Sequence, residues 1–96
     1  MKVLTVYDSK AEAYLPPFYM RTSAEAIRAF EATCNDPESN MSRYPADYTL
    51  FEIGEWNDEK GSITMYEAKT NLGLAAEFKK QPKTLQEVTD EISNES

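Results

Sequence analysis

The stretch YTLFEIGEWNDEKGSITMYE, residues 48–67, predicts a β-hairpin. In its first part, residues 48–56, both faces of the strand carry apolar side chains, which is typical of a strand inside a sheet. The segment NDEKG, residues 57–61, ends in a glycine, which suits a hairpin loop that needs a positive φ angle. Residues 62–67 then return as the second strand. This antiparallel hairpin is the expected centre of the fold.

One strand and one helix are predicted on the N-terminal side of the hairpin. Residues 2–7, KVLTVY, are mostly apolar and β-branched and predict a buried strand. Residues 22–34, TSAEAIRAFEATC, predict a helix, because Thr22 is a good N-cap and Glu25 follows three residues later to form a capping box. The expected fold class is therefore α+β, with this main helix packed on one face of a small antiparallel or mixed sheet.

An extended arm, residues 10–20, joins the first strand to the helix. Two consecutive prolines in the arm remove two backbone donors and exclude a helix. The last three residues of the arm suit a short edge strand. We expect Tyr14 or Phe18 to pack against the helix, and we expect Tyr19 and Arg21 to face outward.

The remaining segments complete the domain organisation. Residues 35–47 form a connection that is long for a compact domain, so it either has a functional role or contains a helical turn. Residues 71–80 have the propensity for a short helix. We expect a single α+β domain over residues 1–83 and an acidic C-terminal tail over residues 84–96, which is either a short helix or flexible.

The charge of the chain is negative and unevenly distributed. The 96 residues carry a net charge of −7, and residues 84–96 hold four acidic residues and no basic one. An acidic chain argues against a broad basic surface for duplex DNA or RNA. It leaves open a local basic and aromatic groove for a single strand, where stacking supplies much of the affinity. No long apolar stretch is present, so we expect no membrane partner.

The residue types that most enzymes need are scarce. The chain has no histidine, which removes the commonest general base and the commonest transition-metal ligand. Cys34 is the only cysteine, and its place near the end of the predicted helix suits a buried structural residue. The three glycines are isolated, so there is no phosphate-binding loop. We therefore predict that the protein is not an enzyme and has no catalytic residue, cofactor or metal.

Aromatic and basic side chains are the remaining candidates for function. Bases of single-stranded nucleic acid stack on aromatic rings, and each stack contributes about 1–3 kcal/mol. The competing interpretation is that most of these rings form the core, because a small domain needs them there. The candidate nucleic-acid-binding residues are Tyr19, Arg21, Arg28, Arg43, Tyr44, Trp56 and Lys60.

Three blocks of the sequence together resemble a known viral family. They are YDSKAEAYLPPF at residues 7–18, AIRAF at residues 26–30 and PADYTLFEIGEWNDEKG at residues 45–61. In this combination the chain resembles the small nonstructural protein of gokushoviruses, which are bacteriophages of the family Microviridae with single-stranded DNA genomes. The resemblance implies a DNA-binding protein in the cytoplasm of the infected bacterial host. Its implied role is viral genome replication or the switch to single-strand synthesis and packaging.

Two functional hypotheses follow from these observations. The first is a non-enzymatic protein that binds single-stranded DNA. The second is an acidic protein-interaction module, or a homo-oligomer, that acts on a phage replication or procapsid protein or on a host protein. The aromatic and proline-rich arm suits a groove on another protein as well as it suits a nucleic acid. A direct test for single-strand binding separates the two.

Overall fold

The computed structural model describes residues 1–80, which form an antiparallel sheet of five strands with short helices. The strands are β1 (Lys2–Asp8), β2 (Ala13–Tyr14), β3 (Phe18–Met20), β4 (Tyr48–Asn57) and β5 (Ser62–Leu74). The helices are α1 (Ser23–Cys34), α2 (Asn40–Arg43), a 3-10 helix (Pro45–Asp47) and α3 (Ala75–Phe78). The α+β prediction is confirmed, and the sheet is antiparallel rather than mixed. The predicted tail over residues 84–96 lies outside the described residues.

The first strand of the predicted hairpin lies inside the sheet, and its second strand forms one edge. Strand β4 pairs with β1 on one side and with β5 on the other. The outer edge of β1 is shared by the two short strands of the arm, with β2 beside Tyr7 and Asp8 and β3 beside residues 2–4. The predicted N-terminal strand, central strand and edge strand of the arm are therefore all present. Gly61 closes the hairpin loop at a φ of 62°, as its position in the sequence predicts.

Helix α1 begins and ends where its sequence predicts. The Thr22 side chain accepts a hydrogen bond from the Glu25 backbone N–H at 3.1 Å, so Thr22 is the N-cap. Asn35 caps the C-terminus, and its Nδ2 donates to the carbonyl oxygens of Glu31 and Phe78, each at 2.9 Å. The second of these bonds ties the end of α1 to α3.

The core lies between α1 and one face of the sheet. Its buried side chains come from β1, β4, α1 and α3 and include Leu4, Leu50, Phe30 and Ala75. Phe18 of the arm packs against this core, as expected. The long connection at residues 35–47 contains both α2 and the 3-10 helix, so its helical alternative is confirmed.

The C-terminal part of the hairpin differs from the sequence prediction. Strand β5 does not end at residue 67 but continues to Leu74, and the helix expected over residues 71–80 is reduced to the single turn Ala75–Phe78. The reason is that β4 offers ladder partners to Asn71 and Gly73, and this pairing overrides the local helix propensity. Within residues 1–80, no helix is long and apolar enough to cross a membrane.

Candidate nucleic-acid interface

The two faces of the sheet have different neighbours. Leu4 and Val6 of β1 pack in the core beneath the helices. Because side chains alternate along a strand, Val3, Thr5 and Tyr7 lie on the opposite face. No helix among the described residues contributes to a core on that opposite face, which we call the open face.

The open face carries a series of aromatic rings. Directly paired residues of neighbouring antiparallel strands share a face. The ladder pairs Tyr19 with Val3, Phe51 with Thr5, and Tyr14 with Tyr7. Trp56 joins them through its contact with Tyr19. The rings of the open face are therefore Tyr7, Tyr14, Tyr19, Phe51 and Trp56.

Three of these rings form a cluster at one end of the open face. The ring centroids of Tyr7 and Tyr14 are 4.8 Å apart, and those of Tyr14 and Phe51 are 6.2 Å apart. Tyr14 is 49% exposed, and the Lys69 Nζ lies 5.4 Å from its ring centroid. A cation above an accessible ring is an arrangement that can bind a stacked base and its phosphate.

Tyr19 and Trp56 form a second cluster at the other end. Their ring centroids are 6.4 Å apart with an interplanar angle of 69°, and together with Met1 they line a cavity of about 340 Å³. The chain start is fixed beside them, because the Trp56 backbone N–H donates to the Met1 carbonyl oxygen at 2.8 Å. Tyr19 is 41% exposed, so this apolar cavity is accessible from solvent.

The proline-containing arm is held against β1 by two hydrogen bonds. The Thr5 Oγ1 donates to the Leu15 carbonyl oxygen at 2.7 Å, and the Leu15 backbone N–H donates to the Val6 carbonyl oxygen at 2.8 Å. Both bonds involve Leu15, so they fix the arm just before the prolines, and the pairing of β3 with β1 holds it after them. Tyr19 and Arg21 are exposed, as the sequence predicts, whereas Tyr14 lies on the open face and does not pack against α1.

Of the seven candidate residues, Tyr19 and Trp56 come from distant parts of the chain and are in contact, whereas Arg43 and Tyr44 are neighbours only in sequence. Arg28 is exposed on α1, and Arg43 lies on α2, where its Nε donates to the Pro37 carbonyl oxygen at 3.3 Å. Tyr44 is exposed between α2 and the 3-10 helix, and Lys60 lies in the hairpin loop. Arg21 lies between β3 and α1. A DNA-binding role for each of these residues remains a prediction.

Sequence reasoning did not select Tyr7, Tyr14 and Phe51 as site residues. The alternation in β1 and β4 places Tyr7 and Phe51 on a face away from Leu4 and Leu50, so a signal was present. What the sequence lacked was the register, because only the pairing of β1 with β2 and β4 shows that these rings are neighbours.

In the part of the chain that the structure describes, we find neither a cluster of metal-binding side chains nor an activated cysteine. Within residues 1–80, no three cysteine or carboxylate side chains are grouped so that they could hold a metal ion. Cys34 is buried, and this burial raises the pKa of its thiol, with the charge of Glu31 acting in the same direction. A raised thiol pKa disfavours the nucleophilic thiolate.

These features define a small α+β protein with helices on one face of its sheet and aromatic rings on the other. Comparison with protein families gives a match to the model described as Phage ORF5 protein over residues 1–78, so the chain belongs to this phage protein family. The match runs from the first residue to the end of α3. Searches of curated proteins and of solved structures gave no match.

Proposed function

We propose that this phage protein is a non-enzymatic protein that binds single-stranded DNA on the open face of its sheet. The observation that carries the proposal is the series of aromatic rings on that face, of which Tyr14 and Tyr19 are both more than 40% exposed. Rings needed only for packing are normally covered by a second layer, whereas no helix among residues 1–80 packs on this one.

The physical basis of the proposal is stacking with few ionic contacts. An unpaired base can place its ring on an exposed tyrosine, and each such stack contributes about 1–3 kcal/mol. Paired bases in a duplex are already stacked on each other and do not offer their faces. Because the chain has a net charge of −7, attraction to phosphates contributes little beyond local cations such as Lys69 and Arg21. The surface therefore favours a single strand over a duplex.

The biological role that we propose rests on the family and on the gokushovirus resemblance. A bacteriophage with a single-stranded DNA genome exposes unpaired bases during genome replication, and during the switch to single-strand synthesis and packaging. A protein with stacking surfaces would act there, in the cytoplasm of the infected bacterial host. Such a role needs no catalytic residue and no cofactor.

Fluorescence anisotropy of a labelled oligonucleotide tests the proposal. We expect saturable binding of a single strand at low salt and at near-physiological salt, and much weaker binding of a duplex of the same sequence. Because few phosphates are contacted, the affinity should fall only gently with salt. No single-strand binding at high micromolar protein and low salt would reject the proposal.

Three matched variants test whether the open face is the binding surface. Tyr14→Ala and Tyr19→Ala each remove a ring from the open face, and we expect each to weaken binding at least about fivefold, since one base stack is lost. Tyr44→Ala removes a candidate ring that is 58% exposed in the helical layer, so it leaves the affinity unchanged if DNA binds on the open face alone and weakens binding if the helical layer takes part. Equal effects of the three variants would place the binding surface elsewhere.

Trp56 allows the same surface to be observed directly. It is the only tryptophan in the chain, so intrinsic tryptophan fluorescence reports on the cavity beside Tyr19. A base that stacks there should quench this fluorescence at the same DNA concentrations at which anisotropy rises. Binding without any change in Trp56 emission would restrict the site to the Tyr7, Tyr14 and Phe51 cluster.

A second function is favoured by two apolar side chains on β5. Ile63 is 44% exposed and Met65 is 58% exposed. The chain that carries them has a net charge of −7. This surface suits a protein-interaction module that acts on a phage replication or procapsid protein or on a host protein. If the oligonucleotide does not bind, affinity purification from infected cells is the experiment that tests this alternative, and Met65→Lys should then abolish recovery of the partner.

A further inference from the structure

The two most accessible rings of the open face both belong to the arm. Tyr14 is 49% exposed and Tyr19 is 41% exposed, whereas the other three rings of this face are half-buried. A base stacks on a ring whose face reaches solvent. The open face therefore offers two main stacking positions, one in each aromatic cluster.

The distance between these two positions is set by β1. Tyr14 pairs with Tyr7 and Tyr19 pairs with Val3, so the two exposed rings lie opposite residues that are four positions apart on one strand. At a rise of about 3.4 Å per residue, the separation along the strand is about 14 Å. Neighbouring bases of a stacked strand are only about 3.4 Å apart, so they cannot occupy both positions.

The arm holds this spacing before any ligand binds. Leu15, next to Tyr14, is bonded through its backbone to Thr5 and Val6. Tyr19 lies in β3, which is paired with β1. The two prolines between these attachments have a fixed φ angle, which limits the freedom of the chain. A second base can therefore bind without any reorganisation of the arm, and contacts that are organised in advance cost less to form.

The charges differ at the two ends of the open face. The Lys69 Nζ lies 5.4 Å from the Tyr14 ring centroid, where it can pair with a phosphate next to a stacked base. Beyond Trp56, at the other end, the hairpin loop carries Asp58 and Glu59 against the single cation Lys60. An excess of negative charge repels phosphates. The favourable path for a strand therefore runs over the sheet between the two clusters and does not continue along the hairpin loop.

We propose that the open face binds a single strand through two bases that are not neighbours, one on Tyr14 and one in the cavity between Tyr19 and Trp56. This binding mode rests on the DNA-binding function proposed above and specifies its ligand. The separation corresponds to about four steps of a stacked strand, and an extended strand needs fewer, so about one to three nucleotides lie between the two bound bases. The ligand is thus a continuous unpaired strand, and not a mononucleotide or a dinucleotide.

Oligonucleotides that carry two bases on an otherwise base-free backbone test this binding mode by fluorescence anisotropy. All have the same length and the same number of phosphates, and two thymines are separated by a gap of zero to five abasic nucleotides. A linked second contact fails when the linker is too short, is strongest when the linker matches the span, and weakens again as the linker lengthens. We expect neighbouring thymines to bind about as weakly as one thymine, and gaps of one to three to bind at least about fivefold more tightly.

Two variants assign the bound bases to their rings. Tyr14→Ala and Tyr19→Ala each remove one stacking position, so each variant should bind the best-spaced oligonucleotide no more tightly than the oligonucleotide with one thymine. Leu15→Ala is the matched control, because it shortens an exposed side chain of the same arm and keeps the backbone atoms that bond to β1. This control should keep the dependence on spacing. Circular dichroism of each variant checks that the fold is kept.

The results distinguish the binding mode from DNA binding itself. If an all-thymine oligonucleotide of the same length does not bind, the proposed function fails and the binding mode fails with it. If it binds but neighbouring thymines bind as tightly as the best-spaced pair, the protein binds DNA and the two-base mode alone is overturned. A spacing preference that survives in both tyrosine variants, or is lost equally in Leu15→Ala, also overturns the assignment to these rings.

Discussion

Glu52 is a buried carboxylate that connects three elements of the fold. It lies on the helix side of β4, where its two oxygens accept hydrogen bonds from the Ser23 Oγ at 2.5 Å and from the Tyr66 hydroxyl at 2.7 Å. A buried charge is tolerated when its oxygens are paired in this way. Glu52 therefore fixes the start of α1 and the middle of β5 to the central strand.

Removal of the Glu52 carboxylate should destabilise the protein. In Glu52→Ala the Ser23 and Tyr66 hydroxyls lose their acceptor, and we expect the free energy of unfolding to fall by about 2 kcal/mol or more. Urea denaturation at neutral pH measures this loss. The matched control is Glu55→Ala in the same strand, which removes an exposed ion pair with Lys2 and should have little effect. Equal losses for the two variants would contradict the structural role of Glu52.

The same hydrogen bond predicts how stability depends on alkaline pH. The bond to Glu52 raises the pKa of Tyr66 above its ordinary value of 10.0, and burial and the charge of Glu52 act in the same direction. The unfolded chain therefore loses this proton first. The stabilisation is fully present below about pH 10 and is lost as the pH rises through the folded-state pKa.

We therefore expect the free energy of unfolding to fall above about pH 10 and to fall less steeply in Tyr66→Phe. Urea denaturation at a series of alkaline pH values gives the two slopes. Some slope should remain in the variant, because burial also raises the pKa of Tyr48. Identical slopes for the variant and the wild type would show that Tyr66 is not the group responsible.

At the scale of elements, the sequence predicts those elements whose structure depends on interactions between neighbouring residues. Strand β1, helix α1 and the hairpin loop were predicted from alternation, from the Thr22 cap and from Gly61, and each depends on neighbours in the sequence. The later half of β5 was predicted wrongly because residues 71–74 become a strand only through pairing with β4. The candidate site was also predicted only in part, because its geometry depends on long-range strand pairing. Tyr19 and Trp56 were selected by residue type, but their contact arises from two distant pairings of β1.

The junction between β5 and α3 depends on Gly73. Its φ of 140° is a conformation that side chains rarely adopt, and an added Cβ would lie 2.4 Å from an atom of the Phe78 ring. We expect Gly73→Ala to reduce the free energy of unfolding by about 2 kcal/mol or more, since backbone strain and a clash are combined. Thermal or urea denaturation measures the change.

Gly61→Ala is the matched control for that prediction. Gly61 also has a positive φ, 62°, but no atom lies within 4 Å of its added Cβ. Gly61→Ala should lower the free energy of unfolding by only about 1 kcal/mol, because the substitution adds the strain of the left-handed conformation and no clash. A Gly73→Ala variant that is no less stable than Gly61→Ala would mean that α3 does not pack on the end of β5 as described.

At the scale of the whole molecule, the distribution of charge sets the long-range attraction to DNA. Residues 1–83 carry thirteen acidic and ten basic residues, and residues 84–96 add four acidic residues. More than half of the net charge of −7 is therefore concentrated in the last thirteen residues. Charges of this kind act on a DNA strand through their summed field, over distances limited by the salt.

Neutralising these four acids should strengthen single-strand binding by the full chain. In a variant with Glu87→Gln, Asp90→Asn, Glu91→Gln and Glu95→Gln the net charge changes from −7 to −3. We expect the affinity in the anisotropy assay to rise by about threefold or more at low salt, because repulsion between the protein and the phosphates is reduced. The difference should vanish at high salt, where the screening length falls to about 3 Å at 1 M. A variant that binds no more tightly at low salt would show that the acidic residues do not oppose DNA binding. A gain that persists at high salt would indicate that these residues instead compete directly for the open face.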